Sequence, residues 1–160
     1  MRSILLWLFV IFSTQSFAAD LGNYDHLIDG LSDYQFDMRP AAPGRTPGLV
    51  GKQRMMGMTK DEKPPSMLEV IGVNLNRAVE KVTLDVSVTD VEKQQRKRAK
   101  LIKAFVDLLL PEVPNRKDLI VQAMEAAVPD KTVTMNLGEK RLTVRRSITT
   151  NSFVFTIEST

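Results

Sequence analysis

This chain offers few of the histidine and cysteine side chains that most often carry catalysis. The 160 residues include one histidine, His26, and no cysteine. One histidine leaves little general-base or nucleophile chemistry. The sequence also lacks the phosphate-binding loop, zinc-protease, calcium-loop and nucleophile-elbow motifs. It therefore predicts a protein that is not an enzyme. A small hydrolase is the second alternative, because a pair of catalytic carboxylates has no spacing signature.

The densest positive charge is the run KQQRKRAK at residues 93–100. Apolar residues recur at helical spacing from Leu101 to Leu109 on the side opposite the cations. The pattern predicts a helix from Asp90 to Leu110, opened by a capping box at Thr89–Glu92. Arg98 is a misfit at the amino end of the apolar side. The cations of the other side form the candidate site for a partner or polyanion: Lys93, Arg96, Lys97, Lys100 and Lys103.

Three interpretations of this positive face stay open. It is an ordinary solvated surface, it is covered by the Asp-rich segment near the amino terminus, or it binds an external anion. Like charges on one helix face cost a few tenths of a kcal/mol per pair, and cations at the amino end oppose the helix dipole. An external partner would be a phospholipid headgroup, lipopolysaccharide or an acidic protein. Nucleic acid is disfavoured, since no aromatic platform accompanies the cations.

Three methionines lie within four residues at Met55, Met56 and Met58. Thioethers are soft ligands that favour Cu(I). The alternative function is therefore a periplasmic copper-binding module that uses these three side chains. Methionines also fill irregular gaps in a core or on a surface, which is the other interpretation. No other cofactor is predicted.

The first residues predict export. Arg2 precedes an apolar run from Ile4 to Phe12, and small residues follow. As a helix this run would rise about 13 Å, well short of a hydrocarbon core of roughly 30 Å. The pattern is typical of a secretory signal peptide. We expect residues 1–18 to be removed, which leaves no transmembrane segment and a periplasmic or secreted protein.

Residues 19–66 combine an acidic segment with a long connection. Leucine, isoleucine and tyrosine recur at helical spacing over residues 21–33 opposite a series of aspartates, which predicts a short amphipathic helix. Residues 40–65 contain five prolines and four glycines and have no apolar period. They predict an irregular connection.

Residues 67–160 predict an α+β domain. Alternating apolar residues indicate strands near residues 67–75, 82–88, 133–137, 142–148 and 153–157, and a second helix is expected from Asn115 to before Pro129. The order ββααβββ suits an antiparallel sheet of about five strands, covered on one face by two helices. With the absence of disulfides, these features predict a small exported binding protein without enzymatic activity. Its contact surface would be the basic helix face or the connection rich in proline, glycine and methionine.

Overall fold

The computed structural model describes residues 21–42, 49–129 and 131–160. The signal peptide predicted at residues 1–18 and part of the connection, residues 43–48, lie outside the described residues. The described residues form three α-helices and seven strands, with a 3₁₀ turn at Ser32–Tyr34. In chain order the elements are α1 (Tyr24–Gly30), β1 (Arg39–Pro40), β2 (Gln53–Met58), β3 (Met67–Gly72), β4 (Lys81–Ser87), α2 (Glu92–Leu109), α3 (Arg116–Ala126), β5 (Thr132–Leu137), β6 (Lys140–Ser147) and β7 (Ser152–Ser159).

The strands form one antiparallel sheet in the order β1-β2-β3-β4-β7-β6-β5. This confirms the predicted α+β class with an antiparallel sheet. The chain crosses over once within the sheet order, from β4 through both long helices to β5, and β7 then returns to lie between β4 and β6. Within the described part of the chain, no helix has the length and apolar character needed to cross a bilayer.

Alternation along β4 shows how the two faces of the sheet differ. In β4, Val82, Leu84 and Val86 are buried while their neighbours are half-buried. Because successive side chains of a strand point to opposite faces, the apolar set lies on one face, which we call the inner face. The inner face packs against α2 through Leu101 and Phe105, both fully buried. The helices therefore cover the sheet on that face.

Helix α1 packs beside the carboxyl-terminal part of α2. Its start is capped by the Asn23 side chain, which accepts a hydrogen bond of 2.9 Å from the backbone N–H of His26. Leu27 and Leu31 are buried in the same core as α2. The close approach occurs at Gly30, where a Cβ atom would come within 2.8 Å of the Leu108 side chain. The predicted helix over 21–33 is thus shorter, and it continues as the 3₁₀ turn.

The prediction of an irregular connection over residues 40–65 is wrong for Gln53–Met58. This segment is strand β2, paired along its length with β3, and β1 pairs with its other edge. The sheet has seven strands rather than about five for this reason. The apolar alternation expected of a strand is missing from the sequence at Gly57, because this buried position has no apolar side chain. A Cβ atom there would meet the Met38 sulfur at 2.4 Å and the Asp37 backbone at 3.0 Å.

The predicted capping box at Thr89–Glu92 does not form. Helix α2 begins at Glu92 with Val91 in the cap position and no side-chain capping bond. Thr89 instead accepts a hydrogen bond of 3.3 Å from the N–H of Val91 through its hydroxyl. The second long helix begins after Asn115, as predicted.

Arg98 attaches the amino-terminal half of α2 to the sheet. Its guanidinium donates hydrogen bonds of 2.6 Å to the carbonyl oxygens of Ser87 and of Pro64. The carboxylate of Glu62 lies 3.6 Å from its Nε and accepts a bond of 2.7 Å from the Ser66 hydroxyl. Arg98 and Glu62 are only 4% and 3% exposed. Because a buried charge is costly unless it is paired, this cluster holds helix, strand end and loop together.

We expect Arg98→Ala to lower the free energy of unfolding by about 3–5 kcal/mol, because it leaves the buried Glu62 carboxylate without its cation. Arg96→Ala is the matched control on the same helix, and it should cost less than about 1 kcal/mol since Arg96 is exposed. Urea unfolding followed by circular dichroism measures both. Equal losses for the two variants would contradict this role of Arg98.

Candidate anion-binding surface

Four of the five predicted cations lie together on the amino-terminal half of α2. They line a shallow hollow of about 460 Å³ with Glu92, and we call them the basic face: Lys93, Arg96, Lys97 and Lys100. Their helical spacing places them on the side of α2 away from the buried Leu101 and Phe105. The structure therefore brings together the cations predicted from the sequence, with Lys103 as the exception.

The carboxylates near the basic face neutralise it only in part. Arg96 donates to Glu92 at 2.5 Å, but both side chains are 76% exposed, and exposed pairs contribute little. Lys97 lies 3.8 Å from the buried carboxylate of Glu62, which Arg98 also contacts. Among the described residues, none of the ion pairs within 4.0 Å involves Lys93 or Lys100. The basic face thus keeps a positive charge that local contacts do not cancel.

Lys103 belongs to a different cluster one turn further along α2. It forms an ion pair with Asp107, whose carboxylate also accepts a hydrogen bond of 2.6 Å from Arg116 of α3. These bonds, first that from Lys103, hold the pKa of the Asp107 carboxyl below its usual range. Lys103 borders an apolar hollow of about 360 Å³ between α2 and α3 rather than the hollow of the basic face. Lys103 is therefore paired within α2, and Arg116 joins the same carboxylate to α3.

The interpretation that the Asp-rich segment covers the basic face is wrong. Helix α1 meets α2 at Leu108, near the carboxyl end of α2, whereas the basic face occupies its amino end. No ion pair within the described ranges involves Asp25, Asp29 or Asp33. The aspartates of α1 leave the cations of α2 uncompensated.

Three cations at the opposite end of the sheet each form an ion pair. Lys52 lies 2.6 Å from Glu80, Lys140 lies 3.0 Å from Glu112, and Arg141 lies 2.7 Å from Glu158. Each of these cations has a carboxylate from a different element beside it. These three cations are paired, in contrast to Lys93 and Lys100 of the basic face.

The start of α2 also departs from the residues that favour helix initiation. Ser, Thr, Asp or Asn at the cap position would accept a hydrogen bond from the first N–H groups, whereas Val91 accepts none. The side chain of Val91 is 54% exposed. Glu92 in the first turn suits the positive end of the helix dipole, but Lys93 and Arg96 next to it oppose that end. Three local penalties therefore coincide at the same place: a missing cap, an exposed aliphatic side chain and unrelieved like charge.

Strand β2 separates the three methionines of the predicted copper site. Met55 packs against the core on the inner face. Met56 and Met58 line a hollow of about 260 Å³ on the outer face, together with Met67 of β3, which is directly opposite Met58. Consecutive residues of a strand face opposite sides of the sheet, so Met55 cannot join the other two around one ion. The structure groups Met56 and Met58 with Met67 instead.

The candidate site consists of charged side chains. In the described part of the chain, no group of three or more histidine, cysteine or acidic side chains is placed to hold a metal ion. His26 is exposed in the first turn of α1, away from α2's basic face. Comparison of this chain with models of protein families, with curated proteins and with solved structures finds no match. The chemistry that these contacts support best is the binding of anionic groups.

Glu62 and Arg98 are the functional neighbours that the sequence did not reveal. Arg98 appeared only as a misfit on the helical wheel, and that irregularity was a usable signal, since a cation on an apolar face needs a partner. Glu62 lies in a loop beside prolines, where no periodic pattern indicates burial. Its partner could only be found in three dimensions.

The Asp107 contacts predict a pH-dependent contribution to stability. A carboxyl whose pKa is lowered in the folded state stabilises the fold above its unfolded pKa of about 3.8 and loses that contribution as pH falls through the folded value. Asp107→Asn should therefore reduce the free energy of unfolding at pH 7, and the difference from the unmodified chain should shrink below about pH 3. Urea titrations at both pH values measure this. Asp61→Asn, at an exposed loop position, is the control, and a pH-independent loss for Asp107→Asn would contradict the assignment.

Proposed function

We propose that this chain is an exported, non-enzymatic binding protein that engages an anionic component of the cell envelope through the basic face of α2. Export rests on the amino-acid pattern of residues 1–18. The anionic groups that fit the basic face are phosphates or carboxylates, because lysine and arginine supply only donors and positive charge. The basic face is open and shallow, which suits a surface contact rather than the enclosure of a small ligand.

The single observation that carries this proposal is the uncompensated charge at Lys93 and Lys100. Each is exposed, and each lies one helical turn from further cations of the basic face. Unfavourable local choices that coincide in one place are expected at functional sites, where binding rather than folding supplies the compensation. An anion on the basic face would relieve the repulsion among these cations and the conflict with the helix dipole.

Reversal of two charges tests the proposal. We expect the full chain to bind heparin, used as a soluble polyanion, with an affinity that falls as salt is added. Each cation near an anionic surface contributes about 1 kcal/mol, so Lys93→Glu with Lys100→Glu should weaken binding by at least about 30-fold. These two positions are chosen over Lys97 because a carboxylate at 97 would face Glu62. Isothermal titration calorimetry over a salt series measures the effect.

The control changes the net charge equally at other surfaces. Arg77 is exposed in the turn between β3 and β4, and Lys117 is exposed on α3. Arg77→Glu with Lys117→Glu should leave heparin affinity within about threefold of the unmodified chain. Circular dichroism establishes that both double variants are folded. If the two double variants lose affinity equally, net charge rather than the basic face is responsible, and the proposal fails.

A second candidate function is Cu(I) binding at the outer face of β2 and β3. The observation that favours it is the hollow shared by the side chains of Met56, Met58 and Met67. Three thioethers are a ligand set that selects Cu(I) over harder ions. The Asp37 carboxylate lines the same hollow, but it is already paired with Arg39 at 2.7 Å. The candidate ligands therefore differ from those predicted by sequence spacing.

Competition with a colorimetric Cu(I) chelator tests this second candidate. Replacement of Met56, Met58 and Met67 by leucine should abolish Cu(I) uptake, because leucine keeps the apolar volume and removes the sulfur. Met55→Leu is the matched control, since Met55 packs on the inner face, and it should retain uptake. Loss of Cu(I) binding in Met55→Leu, or retention in the triple variant, would contradict the proposed ligand set.

A further inference from the structure

We infer that the end of the molecule where α2 begins is a membrane-docking surface for anionic phospholipid, with Val91 and Ile148 inserted among the headgroups. This inference rests on the proposed function and names its partner. The surface comprises the loop of residues 59–66, the loop of residues 88–91, the first turns of α2 and the turn of residues 148–151. We call these segments the docking end.

Strand register brings the loops of the docking end side by side. Ser87 at the end of β4, Ser152 at the start of β7 and Ser147 at the end of β6 are aligned across the three neighbouring strands. The chain leaves the sheet in the same direction after Ser87 and after Ser147. Val91 and Ile148 therefore lie at one end of the sheet although they are far apart in sequence.

Hydrogen bonds tie these loops together. The backbone N–H of Val88 donates to the carbonyl oxygen of Asn151 at 2.7 Å. Arg98 bonds the carbonyl oxygens of Ser87 and of Pro64, and the Ser87 hydroxyl donates to the Pro65 carbonyl at 3.3 Å. A surface whose parts are held in place loses little conformational entropy when it binds. The docking end is therefore preorganised for binding.

The loops add cations to those of the basic face. Lys60 and Lys63 are exposed in the first loop, and Arg145 is exposed near the end of β6. Arg146 stacks over the Phe153 ring at 4.8 Å and donates to the Asn151 side chain at 3.3 Å, which fixes its guanidinium at the turn. The exposed carboxylates in these segments are Asp61, Asp90 and Glu92. Cations therefore predominate at the docking end.

Two aliphatic side chains project among these cations. Val91 is 54% exposed and Ile148 is 59% exposed. Stable attachment to a bilayer takes two signals, and a basic patch with apolar insertion is one such pair. Cations attract the anionic headgroups, and the aliphatic side chains leave water in the interfacial layer. The basic patch and the aliphatic side chains together supply both signals, and on this ground we assign the surface to an anionic phospholipid bilayer.

Site-specific fluorescence tests this assignment. The chain has no cysteine, so Ile148→Cys and Val91→Cys can each be labelled at one position with an environment-sensitive dye such as NBD. Vesicles of phosphatidylglycerol and phosphatidylcholine should shift the emission of both labels to the blue, and vesicles of phosphatidylcholine alone should not. Val73→Cys is the matched control, because Val73 is 61% exposed in the β3–β4 turn at the opposite end. Its label should stay in water.

Unlabelled variants separate the two contributions to binding. Val91→Ser with Ile148→Ser should weaken sedimentation with anionic vesicles by roughly tenfold and leave its salt dependence unchanged. Heparin affinity of this variant should equal that of the unmodified chain. If heparin binds through the basic face but neither dye shifts with vesicles, the membrane assignment is overturned while the proposed function stands. If the Lys93 and Lys100 reversals leave heparin affinity intact, the proposed function fails first. A shift at Val73 alone would also overturn the docking end.

Discussion

The buried guanidinium of Arg98 is the constraint on which the rest of the structure depends. It is the one cation of the basic run that turns inward, and it bonds the last residue of β4 and the loop between β2 and β3. Glu62 compensates its charge from that loop. The cluster is imperfect, since Oε1 of Glu62 and Nε of Arg98 lack hydrogen-bond partners among the described residues. A buried ion pair of this kind adds little net stability over an apolar core, although removal of one partner is costly. We attribute its role to the geometry that it imposes.

That geometry has a consequence for the neighbouring cations. With Arg98 fixed inside, helical spacing directs Lys93, Arg96, Lys97 and Lys100 outward at the same end of the sheet. The helix then begins with an apolar cap residue, and after Glu92 its amino-terminal half carries four outward cations, an arrangement that costs stability in isolation. Further along α2, Asp107 forms an ion pair with Lys103, so the positive charge there is compensated. The carboxyl-terminal half of the helix is thus packed and paired, whereas the amino-terminal half presents the unpaired cations on which the proposed function rests.

The sequence predicted the parts of this fold that have a clean period. The five strands over residues 67–160 and the two long helices agree with the structure because their apolar residues alternate or recur every three to four positions. Strand β2 was not predicted for two reasons. Gly57 places no apolar side chain on its buried face, and its pairing with β3 is a tertiary contact that a local pattern does not show. The capping box failed because the Thr89 hydroxyl accepts from the N–H of Val91, and α2 begins only at Glu92.

Much of the candidate site was visible in the sequence, but its extent was not. Helical spacing grouped all five cations, and Lys103 was separated from the other four only by its ion pair with Asp107, which also contacts Arg116. The contribution of Ile148 and Arg146 depends on the register of β6 and β7, which no local pattern reveals. The three methionines show the same limit, since adjacency in sequence placed Met55 with Met56 and the strand then separated them.

The most direct measurement of the central claim is a footprint of lysine reactivity on anionic vesicles. Acetylation of the full chain, followed by mass spectrometry, reports each lysine separately. If Arg98 assembles one docking surface, Lys60, Lys63 and Lys93 should lose reactivity together at the same lipid concentration, while Lys117 on α3 keeps its reactivity. Protection of Lys93 without Lys60 and Lys63, or protection that includes Lys117, would contradict a single surface at the start of α2.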